Sequence, residues 1–214
     1  MLASAQLDVT VQVAVVAVPV AMYFLLLGLF NSQRTPQLLP ARRDFILLVA
    51  AFLPVLVMPA LNYVGVSAWT VVLATGGACL AAVLAAPRGS GQWVIYNIQS
   101  PEALRACERS LQSMGLGFVR CGRRLRLEGM DAELRLWAMP LLRNVSLSVG
   151  GPDAGRILPE FQHRLAGQLG LMPTQATPMA LAFVLIATVM LVAPLGMVAD
   201  RMPEMVRLIT NLVH

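Results

Sequence analysis

Apolar and polar positions along the chain follow three patterns. Residues 11–30, 45–63, 69–86 and 180–199 form continuous apolar runs that hold no Asp, Glu, Lys, Arg or His. Each is close to the roughly 20 residues that cross a hydrocarbon core of about 30 Å, so the pattern predicts about four transmembrane helices. Pro19, Pro54, Pro59 and Pro194 fall inside these runs. Lipid-embedded helices tolerate proline where neighbours satisfy the freed carbonyls, and Pro54 with Pro59 predicts a kink. Residues 64–67 leave room only for a tight hairpin, flanked by Tyr63 and Trp69 as an interfacial aromatic pair would flank it. The third run carries small residues, and Gly76, Gly77, Ala78 and Ala81 are its candidate helix-packing face. Residues 37–44, QLLPARRD, read as a short linker.

The second pattern begins after Pro87-Arg88-Gly89-Ser90-Gly91. Strand-like alternation or composition marks residues 93–98, 118–120, 124–127, 133–138 and 144–149, and helical spacing marks 100–114 and 154–169. Ser100 as N-cap, Pro101 behind it and Glu102 in the first turn predict the first helix start, and Gly115 its end. Ala103, Leu104, Cys107, Leu111 and Met114 share one face of that helix. With one short strand left out, the order is β-α-β-β-β-α. That order is compatible with a ferredoxin-like sandwich, in which two helices cover one face of an antiparallel sheet. The third pattern is the tail, residues 200–214. Its apolar Met202, Met205, Val206, Ile209, Leu212 and Val213 make one helical stripe, which predicts an amphipathic surface helix.

The expected fold class is therefore a membrane all-α protein of about four transmembrane helices with an inserted small α+β domain, ferredoxin-like in topology. Its parts are a three-helix transmembrane region at 1–91, a polar domain at 92–172, and a fourth span with the amphipathic helix at 173–214.

Composition agrees with lipid contact. Of 214 residues, 57% are apolar and 13% charged, against about 45–50% and about 25% in ordinary globular domains. The net charge of +5 comes from sixteen arginines and no lysine. Arg34, Arg42 and Arg43 follow the first run, and ten arginines with seven acids lie in 92–172. The residues before the first run and the 64–67 hairpin hold no arginine. Arginine asymmetry predicts a bacterial cytoplasmic (inner) membrane protein, multi-pass, with the polar domain in the cytoplasm and both termini outside. A cleaved signal peptide is not expected, because residues 1–10 lack a basic segment. Cys79, Cys107 and Cys121 show neither CxxC spacing nor neighbouring histidines, so they read as buried free thiols.

Candidate chemistry is sparse. The absence of ionisable groups from the runs disfavours an ion relay, although proline-broken helices keep a transporter or channel component as an alternative. His163 and His214 are isolated, and no GxSxG, HExxH, GxxxxGK[ST] or GxGxxG motif is present. The chain does not read as an enzyme, and no cofactor or metal is expected. The densest charge feature is Arg120, Arg123, Arg124, Arg126 and Arg135, close to Arg143. On antiparallel strands these arginines could form a solvated face, or one that meets anionic lipid or an acidic partner. Nucleic acid is not an expected partner. Stacking on RNA would need exposed aromatics, whereas Trp93, Tyr96, Phe118 and Trp137 are expected mostly in the core. The function expected is an integral membrane subunit or scaffold whose cytoplasmic domain meets a partner or a lipid surface. Its partners would be the bilayer and other membrane subunits or copies of itself. A membrane-tethered ligand sensor is the second alternative.

Overall fold

The computed structural model describes residues 9–64, 68–87, 89, 91–174 and 177–199. Long helices come first: α1 (Val9–Ser32), α2 (Ala41–Val64) and α3 (Ala68–Ala85), with a short strand β1 (Gln37–Pro40) between α1 and α2. Then follow β2 (Gln92–Tyr96), α4 (Ser100–Ser113), β3 (Phe118–Cys121), β4 (Arg124–Leu127) and β5 (Glu133–Met139). A 3-10 turn, Pro140–Leu142, leads to β6 (Asn144–Gly150), α5 (Ala154–Gly170) and α6 (Pro178–Ala199). The amphipathic helix expected at 200–214 and the hairpin residues 65–67 lie outside the described residues.

Two expectations about fold class are corrected. First, the described residues form six α-helices and a six-stranded antiparallel sheet, an α+β arrangement rather than a four-span helical protein. A single helix, Gln12–Ser32 within α1, is long and apolar enough to cross a membrane among the described residues. Within α3 and α6, Val72–Ala85 and Pro178–Pro194 are shorter apolar stretches that do not meet that measure among the described residues. The first turn of α2 carries Arg42, Arg43 and Asp44. The multi-pass reading, and the orientation with both termini outside that followed from it, do not hold. The N-terminal apolar helix could be a membrane span or a signal sequence, and only 28% of its most apolar stretch is buried.

Second, the sheet is not ferredoxin-like. Its order is β1-β2-β6-β5-β4-β3 with every neighbour antiparallel. β3 to β6 form an unbroken meander, and the second helix follows all of them instead of lying between two βα halves.

The chain divides into two compact units. One comprises residues 1–26, 47–85 and 183–214; the other comprises 27–46 and 86–182. In the first, helices meet through aromatic edges and stacks. Tyr23 of α1 meets Phe52 of α2 at 6.1 Å between ring centroids, and Phe24 stacks on Phe183 of α6 at 6.0 Å. Leu48, Phe52 and Leu56 of α2 and Ala78, Ala81 and Ala85 of α3 line an apolar groove of about 490 Å³. Leu73, Leu80, Val83 and Leu84 of α3, and Leu185, Val189 and Val192 of α6, are exposed.

In the second unit, alternation places one set of strand residues against α4 and α5. Trp93, Ile95, Leu125, Leu134, Leu136, Val145 and Leu147 form the core with Cys107 and Leu111 of α4 and Ile157, Phe161, Leu165 and Leu169 of α5. Full burial of side chains of this size contributes about 1.5–3 kcal/mol each. The N-cap of α4 is Gln99, one residue before the serine that the sequence suggests, and its backbone N–H donates to Glu102 Oε2 at 3.3 Å. The turn after β6 requires Gly151, whose φ is +114°. A Cβ there would lie 2.9 Å from Ala132 Cα and closer still to the Asp131 carbonyl oxygen.

Residues 37–44 are not a linker throughout. Gln37–Pro40 pairs with β2 as the sixth strand, and Pro40 suits an edge because an outward-facing N–H can be spared there. A polar clasp holds this segment in place. Asn97, fully buried at φ +58°, donates from Nδ2 to the Gln33 carbonyl at 2.8 Å and to Thr174 Oγ1 at 2.8 Å. Thr174 donates from its hydroxyl to the same Gln33 carbonyl at 3.0 Å and from its backbone N–H to the Arg34 carbonyl at 2.8 Å.

Candidate interaction surface

The core uses one side of the sheet. The other side is read rung by rung from the register, because residues directly opposite on paired strands point the same way. Four rungs face away from α4 and α5. They are Val119–Arg126–Glu133–Gly150, Cys121–Arg124–Arg135–Ser148–Gln92, Trp137–Ser146–Val94–Leu39 and Met139–Asn144–Tyr96–Gln37.

At the β1 and β2 end this face is covered. Phe30 packs on Tyr96 with ring centroids 5.2 Å apart, the Tyr96 hydroxyl donates to Asp44 Oδ1, and Val94 and Tyr96 are buried. Burial raises the Asp44 carboxyl above its ordinary range, and the Tyr96 hydrogen bond offsets this only in part.

Two strands away, about 10 Å at the usual spacing, the face is open. Trp137 is 54% exposed, Met139 58% and Val119 50%, and Arg124, Arg126 and Arg135 stand exposed among them. Arg135 pairs with Glu133 on its own strand. Arg124 stands directly opposite Arg135 in the ladder. Like charges in that position are destabilising in isolation. The rungs hold three arginines against one acid, Glu133, on this part of the face.

The structure thus separates the arginines that the sequence grouped. Arg124, Arg126 and Arg135 share the open face. Arg120 opposes Leu125 on the helix side and pairs with Glu108 of α4 at 3.3 Å. Arg123 occupies the tight turn between β3 and β4. Arg143 ends the 3-10 turn at φ +46°, where its carbonyl accepts the Ile98 N–H at 3.2 Å.

Trp93 and Tyr96 are buried and Phe118 is half-buried, but Trp137 is not a core residue. The signal for this lay in the alternation of β5. With Leu134 and Leu136 facing inward, Arg135, Trp137 and Met139 must face outward. Within the other unit, Ala78 and Ala81 line the groove against α2, whereas Gly76 and Gly77 are exposed with nothing within 4 Å of a Cβ at either position.

The remaining reactive groups are scattered. All three cysteines are free; Cys79 and Cys121 are exposed rather than buried. Cys107 is buried as expected, and desolvation, with a smaller push from Glu108, raises its thiol to about 12. His163 is exposed on α5 in an open groove of about 340 Å³ with Ser113, Gly167 and Leu171. Among the described residues no three His, Cys, Asp or Glu side chains gather where they could hold a metal ion. Comparison of the chain with protein-family models, with curated proteins and with solved structures gives no match.

Proposed function

We propose that the chain is a non-enzymatic, membrane-associated subunit or scaffold. In this reading α1 is the anchor, and the open sheet face is the recognition surface for a partner or a lipid surface. The observation that carries it is the exposure of Trp137 and Met139 beside Arg124, Arg126 and Arg135 on one sheet face. A solvated strand face has no need of a half-exposed tryptophan, and a grouped aromatic, methionine and arginine surface is the composition of contact sites. The low burial of α1 favours an anchor over a core helix. The exposed leucines and valines of α3 and α6 also call for cover by lipid or by another chain. Arg34, Arg42 and Arg43 follow α1, with no arginine before it, which favours a cytoplasmic position for the α+β unit in a bacterial cytoplasmic membrane.

The test is photocrosslinking of the full chain in native membranes, with benzoylphenylalanine in place of Trp137 or of Gln162, which is exposed on the helix side. Adducts to protein or lipid are expected from position 137 and not from 162. Equal adduct yields at the two positions would remove the recognition role, and release of the intact chain by alkaline carbonate would remove the anchor.

A further inference from the structure

We propose that the open sheet face docks on an anionic phospholipid surface, with Trp137 and Met139 at headgroup depth and Arg124, Arg126 and Arg135 pairing with lipid phosphates. This rests on the anchored reading above and names the partner of the same face. Three observations carry it.

The first is charge. Arg124 faces Arg135 across the ladder, Arg126 lies on the next rung, and Glu133 is the acid among them. Glu133 pairs with Arg135 and stands opposite Arg126, so three guanidinium groups share one carboxylate and the patch keeps an excess of positive charge for anions to meet. A phosphate surface supplies many such anions without demanding a fixed geometry.

The second is the apolar component. A free phosphate would need only the arginines, whereas Val119, Trp137 and Met139 put half-exposed hydrophobic side chains on the same layer. Tryptophan partitions to the headgroup region because its ring is apolar and its N–H polar. Arginine snorkels there by the same division of its side chain.

The third is chain continuity. Phe30, at the end of the one apolar helix able to cross a membrane among the described residues, packs on Tyr96 of this very face. Tethering makes docking intramolecular, so three arginines and a tryptophan suffice where an untethered patch would bind too weakly. An acidic protein satisfies the first observation but not the third.

The experiment uses the full chain with Cys79→Ala, reconstituted in bilayers of phosphatidylcholine alone or with about 30% phosphatidylglycerol, which supplies the negative surface potential. A fluorophore on Cys121, exposed on the docking face, reports contact through quenching by headgroup-level doxyl lipid. Cys107 is buried and stays silent. Stronger quenching in the anionic bilayer is expected. Each arginine charge removed is expected to lower the docked-to-undocked ratio about fivefold, so Arg124→Gln with Arg126→Gln lowers it roughly 25-fold. The Arg→Lys pair restores most of it, and Arg120→Gln, on the helix side, leaves it unchanged.

Quenching that is equal in neutral and anionic bilayers overturns the proposal. So does a probe left unquenched by lipid but shielded in native membranes by an acidic protein. Vesicle flotation of each variant separates the two readings. A chain that floats without charge-dependent quenching defeats the docking alone, and a chain that does not float defeats the anchor beneath it.

Discussion

Asn97 shows how one side chain can hold distant segments together. It adopts a left-handed backbone that most residues avoid, and its buried amide reaches both Gln33 and Thr174. Asn97→Ala loses both hydrogen bonds and adds backbone strain, an expected cost of about 2–4 kcal/mol. Asn97→Gly loses the bonds but keeps the backbone at ease, so it is expected to be roughly 1 kcal/mol less damaging. Denaturant midpoints of the two variants check the order. Asp44 acts through pH. Its folded-state pKa is raised by burial, so the native state holds the proton more tightly than the unfolded chain. Its contribution to stability is complete below the unfolded pKa and is lost as pH rises through the raised one. Asp44→Asn keeps an acceptor for Tyr96 and removes the buried charge. The variant is therefore expected to gain stability over the parent at pH 7 and less at pH 4, as read from paired urea melts.

Among the elements, β4 and β5 show a conflict between stability and use. The Arg124–Arg135 rung sets like charges opposite one another, where Arg124→Thr supplies a β-branched residue and removes the repulsion. That substitution is expected to raise stability by about 0.2–1 kcal/mol while weakening contact with an anionic surface. A loss of stability on this substitution would mean that the rung is already neutralised within the fold. The strands themselves were legible in the sequence. Expected segments at 118–120, 124–127, 133–138 and 144–149 lie within or on the observed β3 to β6, because period-two alternation is a local signal. β1 was not legible. It has four residues, ends in proline, and its partner β2 lies more than fifty positions away.

For the whole molecule, the α+β unit takes in 27–46 as well as 86–182. The first of these segments supplies β1, the Phe30 ring over Tyr96, the Asp44 acceptor and the Gln33 carbonyl that Asn97 bonds. A fragment of 86–182 alone leaves the β2 edge unpaired and uncovers Tyr96 and Asn97. It is expected to melt lower, and to aggregate more readily through that edge, than the same fragment with 27–46 joined by a flexible linker. Identical melting curves would show that the segment adds nothing to the unit.

Local sequence was enough to show which stretches alternate, where the helices of the α+β unit start and stop to within a residue, and that an apolar helix lies near the N-terminus. Those properties depend on neighbours within about a turn or a strand. It did not determine which apolar runs qualify as candidate spans, the order of the strands, or which arginines share a face. An uncharged run reports composition alone, and α2 takes in Arg42, Arg43 and Asp44 ahead of its run. Strand order depends on which edges close over α4 and α5, and register then decides direction. Arg120 and Arg124 lie four positions apart in sequence, yet the β3–β4 hairpin turns one toward α4 and leaves the other beside Trp137 on the open side.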